Sequence, residues 1–258
     1  MEQAARLARF GDRIVSTLAA VLILLMLLYG GYSLWDTAMV FGGAFVSNDL
    51  LQFKPVSTDP DSNPTLAELQ QINPDCIAWL TVDDTHIDYP VVQGEDNMEY
   101  INTDVYGEFA LSGAIFLDST NARDFSDPYN LVYGHHMDNG AMFGDVVEFI
   151  NQAYFDAHPT GTLYLPDATY SISIFACMQT DAFDSVIFTP ADQTNGDVSG
   201  LLDYIRAHAL CSRDIGVTGS DRIIGLSTCS EAETNGRVIL FGRLDRVSNA
   251  PKEAVETS

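Results

Sequence analysis

The chain has 258 residues, is 47% hydrophobic and carries a formal net charge of −24. That length accommodates one large domain or two small ones, and the apolar fraction is enough for a real core. Of its 36 acidic residues 34 lie after Trp35, against nine of its twelve basic ones; such a surface repels nucleic acid and anionic lipid, so neither is an expected partner.

The first predicted element is an uncharged apolar run, Ile14 to Trp35 (IVSTLAAVLILLMLLYGGYSLW), long enough to cross a bilayer as a helix. Arg6, Arg9 and Arg13 precede it, and Asp36, Asn48 and Asp49 follow it. The positive-inside bias puts residues 1–13 in the cytoplasm and everything after the span outside. A cleaved signal peptide would have a shorter apolar core followed by a small-x-small site, whereas this run ends in bulky aromatics from Tyr29 to Trp35, so an uncleaved anchor is expected.

Residues 36–75 read as an extracellular stalk with helices. Thr37 to Phe53 is helical or irregular, and Lys54 to Pro64 is a linker broken by three prolines. TLAE at Thr65 has the pattern of a capping box opening a short helix through Leu69 and Ile72. From Ile77 the pattern changes to short alternating runs: AWLTVDD, HIDYPVV, GAIFLD, NLVYGHH, GTLYLPD, TYSISIFACM, RIIGLSTCS and RVILFGRL. Gly, Pro, Asn and Asp separate them, as in a β-sandwich or barrel. Met142 to Ala157 and Val198 to Leu210 carry apolar residues at helical spacing, including Ile150 and Leu210, and read as helices laid on the sheet. The expectation is a mainly β domain over residues 76–247 with helical decoration, and a tail over 248–258.

Four cysteines follow the anchor: Cys76, Cys177, Cys211 and Cys229. Outside a cell an even count points to disulfides, but there is no dense framework, and no CxxC pair to hold zinc. Cys177, in SISIFACM, reads as a strand core residue, while Cys76 and Cys211 read as flanking helix ends. Cys229 ends the apolar strand RIIGLSTC; NLVYGHHM ends in Gly134, His135 and His136; Arg237 opens RVILFGRL. In a barrel, neighbouring strand ends bring such residues to one rim. A thiol, an imidazole and a guanidinium together supply a thiolate nucleophile, a proton carrier and a fixed oxyanion donor. Taken singly, each residue reads as a buried thiol, a turn histidine or an edge arginine, and only the set points to chemistry.

These residues resemble the sortases, membrane-anchored cysteine transpeptidases of Gram-positive bacteria, and class B in particular. GLSTC matches the family's TLxTC except for Gly225 at the first position, and the eight-residue step to Arg237 lies in the class B range. NLVYGHHM is similar to the histidine strand, INPDCIAWLTVDDTHIDYPVVQGEDNMEYIN and SGAIFLD are similar to class B sequence, and the resemblance covers roughly Phe53 to Leu244. It implies an eight-stranded sortase β-barrel with an N-terminal helical extension and a helix between the sixth and seventh strands, which Val198 to Leu210 fits. It implies that Cys229 is the nucleophile, His135 the general acid/base and Arg237 the stabiliser of oxyanion and substrate. Asn97, Ile101, Tyr133 and Ser227 match positions lining the peptide groove. The implied reaction cleaves a C-terminal sorting signal of a secreted protein after a threonine, through a thioacyl intermediate, and transfers the acyl group to an amine. That amine belongs to a peptidoglycan precursor or, in pilus assembly, to a pilin lysine. Neither cofactor nor metal is implied, the calcium site belonging to another class. A signal-cleaving hydrolase and a tethered binding module on the same barrel are the competing readings.

Overall fold

The structure, a computed structural model, describes residues 2–42, 44–56, 59–137, 139–193, 196–229 and 235–248. The backbone of Cys229 belongs to a described strand, but its side chain, Ser230 and the tail after Ser248 lie outside the described residues. The chain divides into two units, residues 1–42 and 43–258. The first is one helix, α1 (Glu2–Gly42), in which Arg9–Trp35 is long and apolar enough to cross a membrane. Its 27 residues rise about 40 Å, against a hydrocarbon core of about 30 Å.

The second unit opens with α2 (Asn48–Leu51), capped by Ser47, whose side chain accepts from the Leu50 N–H at 3.2 Å. Then comes α3 (Pro64–Ile72), which begins differently from the expected capping box at Thr65. Pro64 occupies the first turn, where its missing N–H costs nothing. Asn63 is the N-cap residue, but its buried amide donates elsewhere, to the Leu165 carbonyl at 2.7 Å and to Thr169 Oγ1 at 3.1 Å. The helix is thereby tied to the barrel before Leu66 and Leu69 bury their side chains, each burial contributing about 1.5–3 kcal/mol.

Nine strands follow: β1 (Cys76–Val82), β2 (Asp88–Val92), β3 (Ile115–Leu117), β4 (Tyr129–Tyr133), β5 (Thr160–Leu165), β6 (Ala168–Asp181), β7 (Ala209–Ser212), β8 (Arg222–Cys229) and β9 (Gly236–Arg246). They pair in the order β5-β1-β2-β3-β4-β8-β9-β6-β7. The additional β5–β6 pairing closes an eight-stranded barrel, as expected. The ninth strand, β7, continues the edge of β6 beyond β5, with Cys177 opposite Cys211. Two neighbouring pairs are parallel, β2 with β3 and β4 with β8. Pro90 lies in β2 opposite Trp79, and β3 joins the other edge only from Val91 onward, where amide donors resume.

Several local expectations are corrected. Met142 to Ala157 is not one helix: a 3-10 turn (Gly144–Ile150) ends where Asn151 goes extended, and its side chain accepts from the Ala153 and Tyr154 N–H groups to start α4 (Gln152–Ala157). The second expected helix ends earlier, as α5 (Ser199–His208), and Leu210 is an exposed residue of β7. Cys76 and Cys211, which do follow helix ends, belong to the strands β1 and β7 that come after α3 and α5.

Two apolar clusters among the described residues join the helices to the sheet. One joins Phe175, Met178 and Phe241 of the sheet to Leu201, Leu202 and Ile205 of α5; the other joins Trp79, Val92 and Phe116 to Leu66 and Leu69 of α3. Tyr133 packs against both. Gly225, the position where the chain departs from TLxTC, lies against Tyr129: a Cβ there would stand 2.9 Å from the phenol oxygen and 3.2 Å from the ring. Tyr129 is fully buried, and its hydroxyl has no hydrogen-bond partner among the described residues. Gly225→Ala is expected to lower stability to urea by about 1–3 kcal/mol through overpacking. Tyr129→Phe, which removes an unpaired hydroxyl, is expected to be neutral or stabilising and to relieve part of that loss in the double variant. Unchanged stability of Gly225→Ala would contradict the tight contact.

Candidate active site

Strand register gathers the site. In the antiparallel pair β8–β9, Cys229 is directly opposite Arg237. In the parallel β4–β8 pair, Tyr133 is beside Ser227, and the Gly134 N–H donates to the Ser227 carbonyl at 3.1 Å. His135 therefore emerges next to the C-terminal end of β8. A Cβ at Gly134 would lie 2.5 Å from Ile115 and 2.7 Å from the Phe143 ring, so only glycine lets the chain leave β4 along this path.

Ile101, Phe116, Tyr133, Gly134, His135, Ser227, Thr228 and Arg237 line one open cavity of about 130 Å³. Three of the four expected groove residues, Ile101, Tyr133 and Ser227, thus share a cavity with His135 and Arg237. Asn97 is outside that lining and joins it indirectly: its Nδ2 donates to Asp118 at 2.8 Å, and Tyr133 donates to the same carboxylate oxygen at 2.9 Å. Burial, and then the Asp118 charge, push the Tyr133 phenol above its ordinary range, so it stays protonated. The buried hydroxyls of Ser227 and Thr228 have no partner among the described residues.

The two adjacent histidines face different surroundings. His136 lines a separate polar cavity with His86, Asp145 and Glu148. His135 Nε2 lies 2.8 Å from the Ile101 carbonyl oxygen. A carbonyl only accepts, so Nε2 carries the proton, and Nδ1 is the nitrogen left to exchange one. The Ile101 carbonyl is itself backed by Gly113, which has φ +58° and whose Cβ, if present, would stand 2.4 Å from that oxygen. The sequence reading passed over this support, for which the glycine was the one available signal.

The described thiols do not compete for the chemistry. Cys76, Cys177 and Cys211 are all buried. Burial pushes Cys76 up to about 12 and raises the other two as well, suppressing the nucleophilic thiolate. Among the described residues no group of three or more His, Cys, Asp or Glu side chains could hold a metal ion.

A closed barrel with a cysteine strand, an arginine strand and a histidine loop meeting at one rim defines a sortase-like architecture. No protein-family profile matches the chain. Sortase B of Listeria monocytogenes is 35% identical over 181 residues, 69% of this chain and 73% of that protein. The crystal structure of a Streptococcus pyogenes class B sortase involved in pilus biogenesis aligns with a TM-score of 0.64 at 44% identity, covering 69% of this chain and 97% of that one. The Staphylococcus aureus sortase B–substrate complex aligns with a TM-score of 0.66 at 29% identity, covering 74% and 88%. The chain belongs to the class B sortases, and is therefore a cysteine transpeptidase.

Gly113→Ala is expected to cost about 1–2 kcal/mol for the left-handed backbone alone and to push the Ile101 carbonyl off His135. Long-range proton–nitrogen NMR is expected to show the neutral His135 ring as the Nε2–H tautomer in the parent and a shifted ring signal in the variant. A dominant Nδ1–H tautomer in the parent would contradict the geometry.

Proposed function

We propose that the chain cleaves a C-terminal sorting signal of secreted proteins and transfers the acyl group to a cell-wall amine, with Cys229, His135 and Arg237 as its catalytic residues. The observation that carries this reading is the register that sets Cys229 opposite Arg237 and brings His135 beside the same strand end. The Cys229 thiolate attacks the threonine carbonyl carbon, and its electron pair forms the C–S bond while the carbonyl pair moves to oxygen. The Arg237 guanidinium, partly buried at the rim, holds that oxyanion without losing its proton. Collapse expels the signal's amine, which takes a proton from His135 Nδ1, and a thioester remains. A second amine attacks the thioester, gives its proton back to His135 and releases the thiolate, so one amide is exchanged for another.

Asn97, Ile101, Tyr133 and Ser227 are the proposed groove residues. Residues 1–13 are proposed as cytoplasmic, 14–35 as the membrane anchor, 36–75 as the extracellular extension and 76–247 as the catalytic domain. The Arg-before, Asp-after asymmetry of the apolar helix supports this orientation. A second reading, in which the acceptor is a pilin lysine, is favoured by the 44% identity to the pilus-biogenesis enzyme of Streptococcus pyogenes.

Quenched peptides bearing NPQTN-like and LPxTG-like signals test the reading, with amine acceptors added and products weighed. The parent is expected to turn over one of them and to give an amine adduct in place of the acid. Cys229→Ala is expected to abolish turnover, and Arg237→Lys to lose at least about 100-fold because lysine lacks the planar fork. Parental rates in Arg237→Lys would remove the oxyanion role; an acid product at every amine concentration would make the protein a hydrolase.

A further inference from the structure

We propose that Asp118 is a positioning residue of this reaction, holding the two walls of the groove at a fixed separation and fixing which hydrogen bonds they offer. The inference rests on the groove reading above and deepens it.

Asp118 follows β3, and only 2% of it is exposed. Its carboxylate is surrounded by donors. Oδ1 accepts from the Thr120 N–H at 2.9 Å and the Thr120 hydroxyl at 2.6 Å, while Oδ2 accepts from Asn97 Nδ2 at 2.8 Å and the Tyr133 hydroxyl at 2.9 Å. Its backbone is equally fixed, with its N–H donating to the Leu131 carbonyl of β4 and its carbonyl accepting from Gln93 Nε2. A buried carboxylate needs such donors, and hydrogen bonds to a charged acceptor are the strong, short ones.

The two groups on Oδ2 come from two different segments of the chain. Tyr133 belongs to β4 and lines the cavity with His135 and Arg237. Asn97 belongs to the segment that continues to Ile101, whose carbonyl holds the His135 ring. One oxygen therefore ties the strand wall to the segment that orients the histidine. The hydrogen bonds also set polarity. Tyr133 spends its only proton on Asp118, so its oxygen can act toward the cavity only as an acceptor. The Asn97 amide cannot flip, because its Oδ1 accepts from the Ser119 N–H at 2.8 Å while Nδ2 faces the carboxylate.

Asp118→Asn keeps the shape but turns one acceptor oxygen into a donor. Each oxygen of Asp118 faces two donors, so the amide NH2 opposes a donor pair whichever way it lies, and the oxygen that remains is uncharged and holds Tyr133 and Asn97 less tightly than the carboxylate does. For the peptide cleaved in the assay above, KM is expected to rise about tenfold, as for one lost hydrogen bond to a charged group, with kcat within about threefold. A merely structural defect would lower the active fraction, and so kcat, while leaving KM in place. In an Asn97→Ala/Tyr133→Phe background, Asp118→Asn is expected to add less than about twofold to KM, because the groups it acts through are gone. A tenfold further rise in that background would overturn the positioning role while leaving the groove reading intact. Parental kinetics in the Asn97→Ala/Tyr133→Phe enzyme would remove the groove reading and this proposal together. Urea unfolding of each variant separates loss of fold from loss of position.

Discussion

The parallel pairing of β4 with β8 is the constraint on which the site depends. Antiparallel neighbours that are close in sequence come together readily, and β8 and β9 are such a pair, with Cys229 opposite Arg237. β4 and β8 are far apart in sequence, and their register is held by what meets across the pair: Leu131 beside Gly225, Val132 beside Leu226, Tyr133 beside Ser227, with the buried Asn130 amide donating to the Ile223 carbonyl. A slip of one residue would turn each of these side chains to the other face of the sheet. The close fit of Gly225 against Tyr129 is one feature that resists such a slip. Register thus decides where His135, which follows the end of β4, stands relative to the end of β8.

Around that pairing the polar groups are arranged to limit motion. The Ile101 carbonyl fixes the His135 ring, Gly113 leaves room for that carbonyl, and the Asp118 carboxylate joins Asn97 to Tyr133. These residues belong to one stretch, 97–118, plus the end of β4. The stretch contains β3, which is only three residues long. Side-chain hydrogen bonds therefore do there what a longer ladder does elsewhere in the barrel. Buried thiols with suppressed ionisation in β1, β6 and β7 keep the remaining sulfur chemistry out of the way.

Much of this was legible in the sequence because strands read as alternating or short apolar runs between turn residues, and helices do not. Of the barrel strands β5 shows that alternation cleanly, while β1, β2, β3, β4, β8 and β9 carry short, nearly continuous buried runs bounded by Gly, Pro, Asn and Asp. β7 escaped because ALCS is short, follows an amphipathic helix without a break, and exposes Leu210 where a helix face would bury it. The single helix expected over Met142 to Ala157 failed at Asn151, whose side chain competes for backbone N–H groups and starts a new helix. Cys229, Arg237 and the loop residues 134–136 were brought to one rim by the barrel reading, and resemblance selected His135 over its neighbour, since nothing local encodes which residue meets a parallel strand. Asp118 was invisible for the same reason: its partners Tyr133 and Asn97 lie 15 and 21 residues away, and their side chains meet only after the strands pair.

The central claim is that the end of β8 carries a thiol that becomes acylated by the substrate. Intact-mass spectrometry of the enzyme, quenched with acid during turnover of a sorting-signal peptide, tests it most directly. The account predicts a mass increase equal to the N-terminal peptide fragment, removable by hydroxylamine and mapping to Cys229 alone. An acyl group on any other residue, or product formed with no adduct at any time, would contradict it.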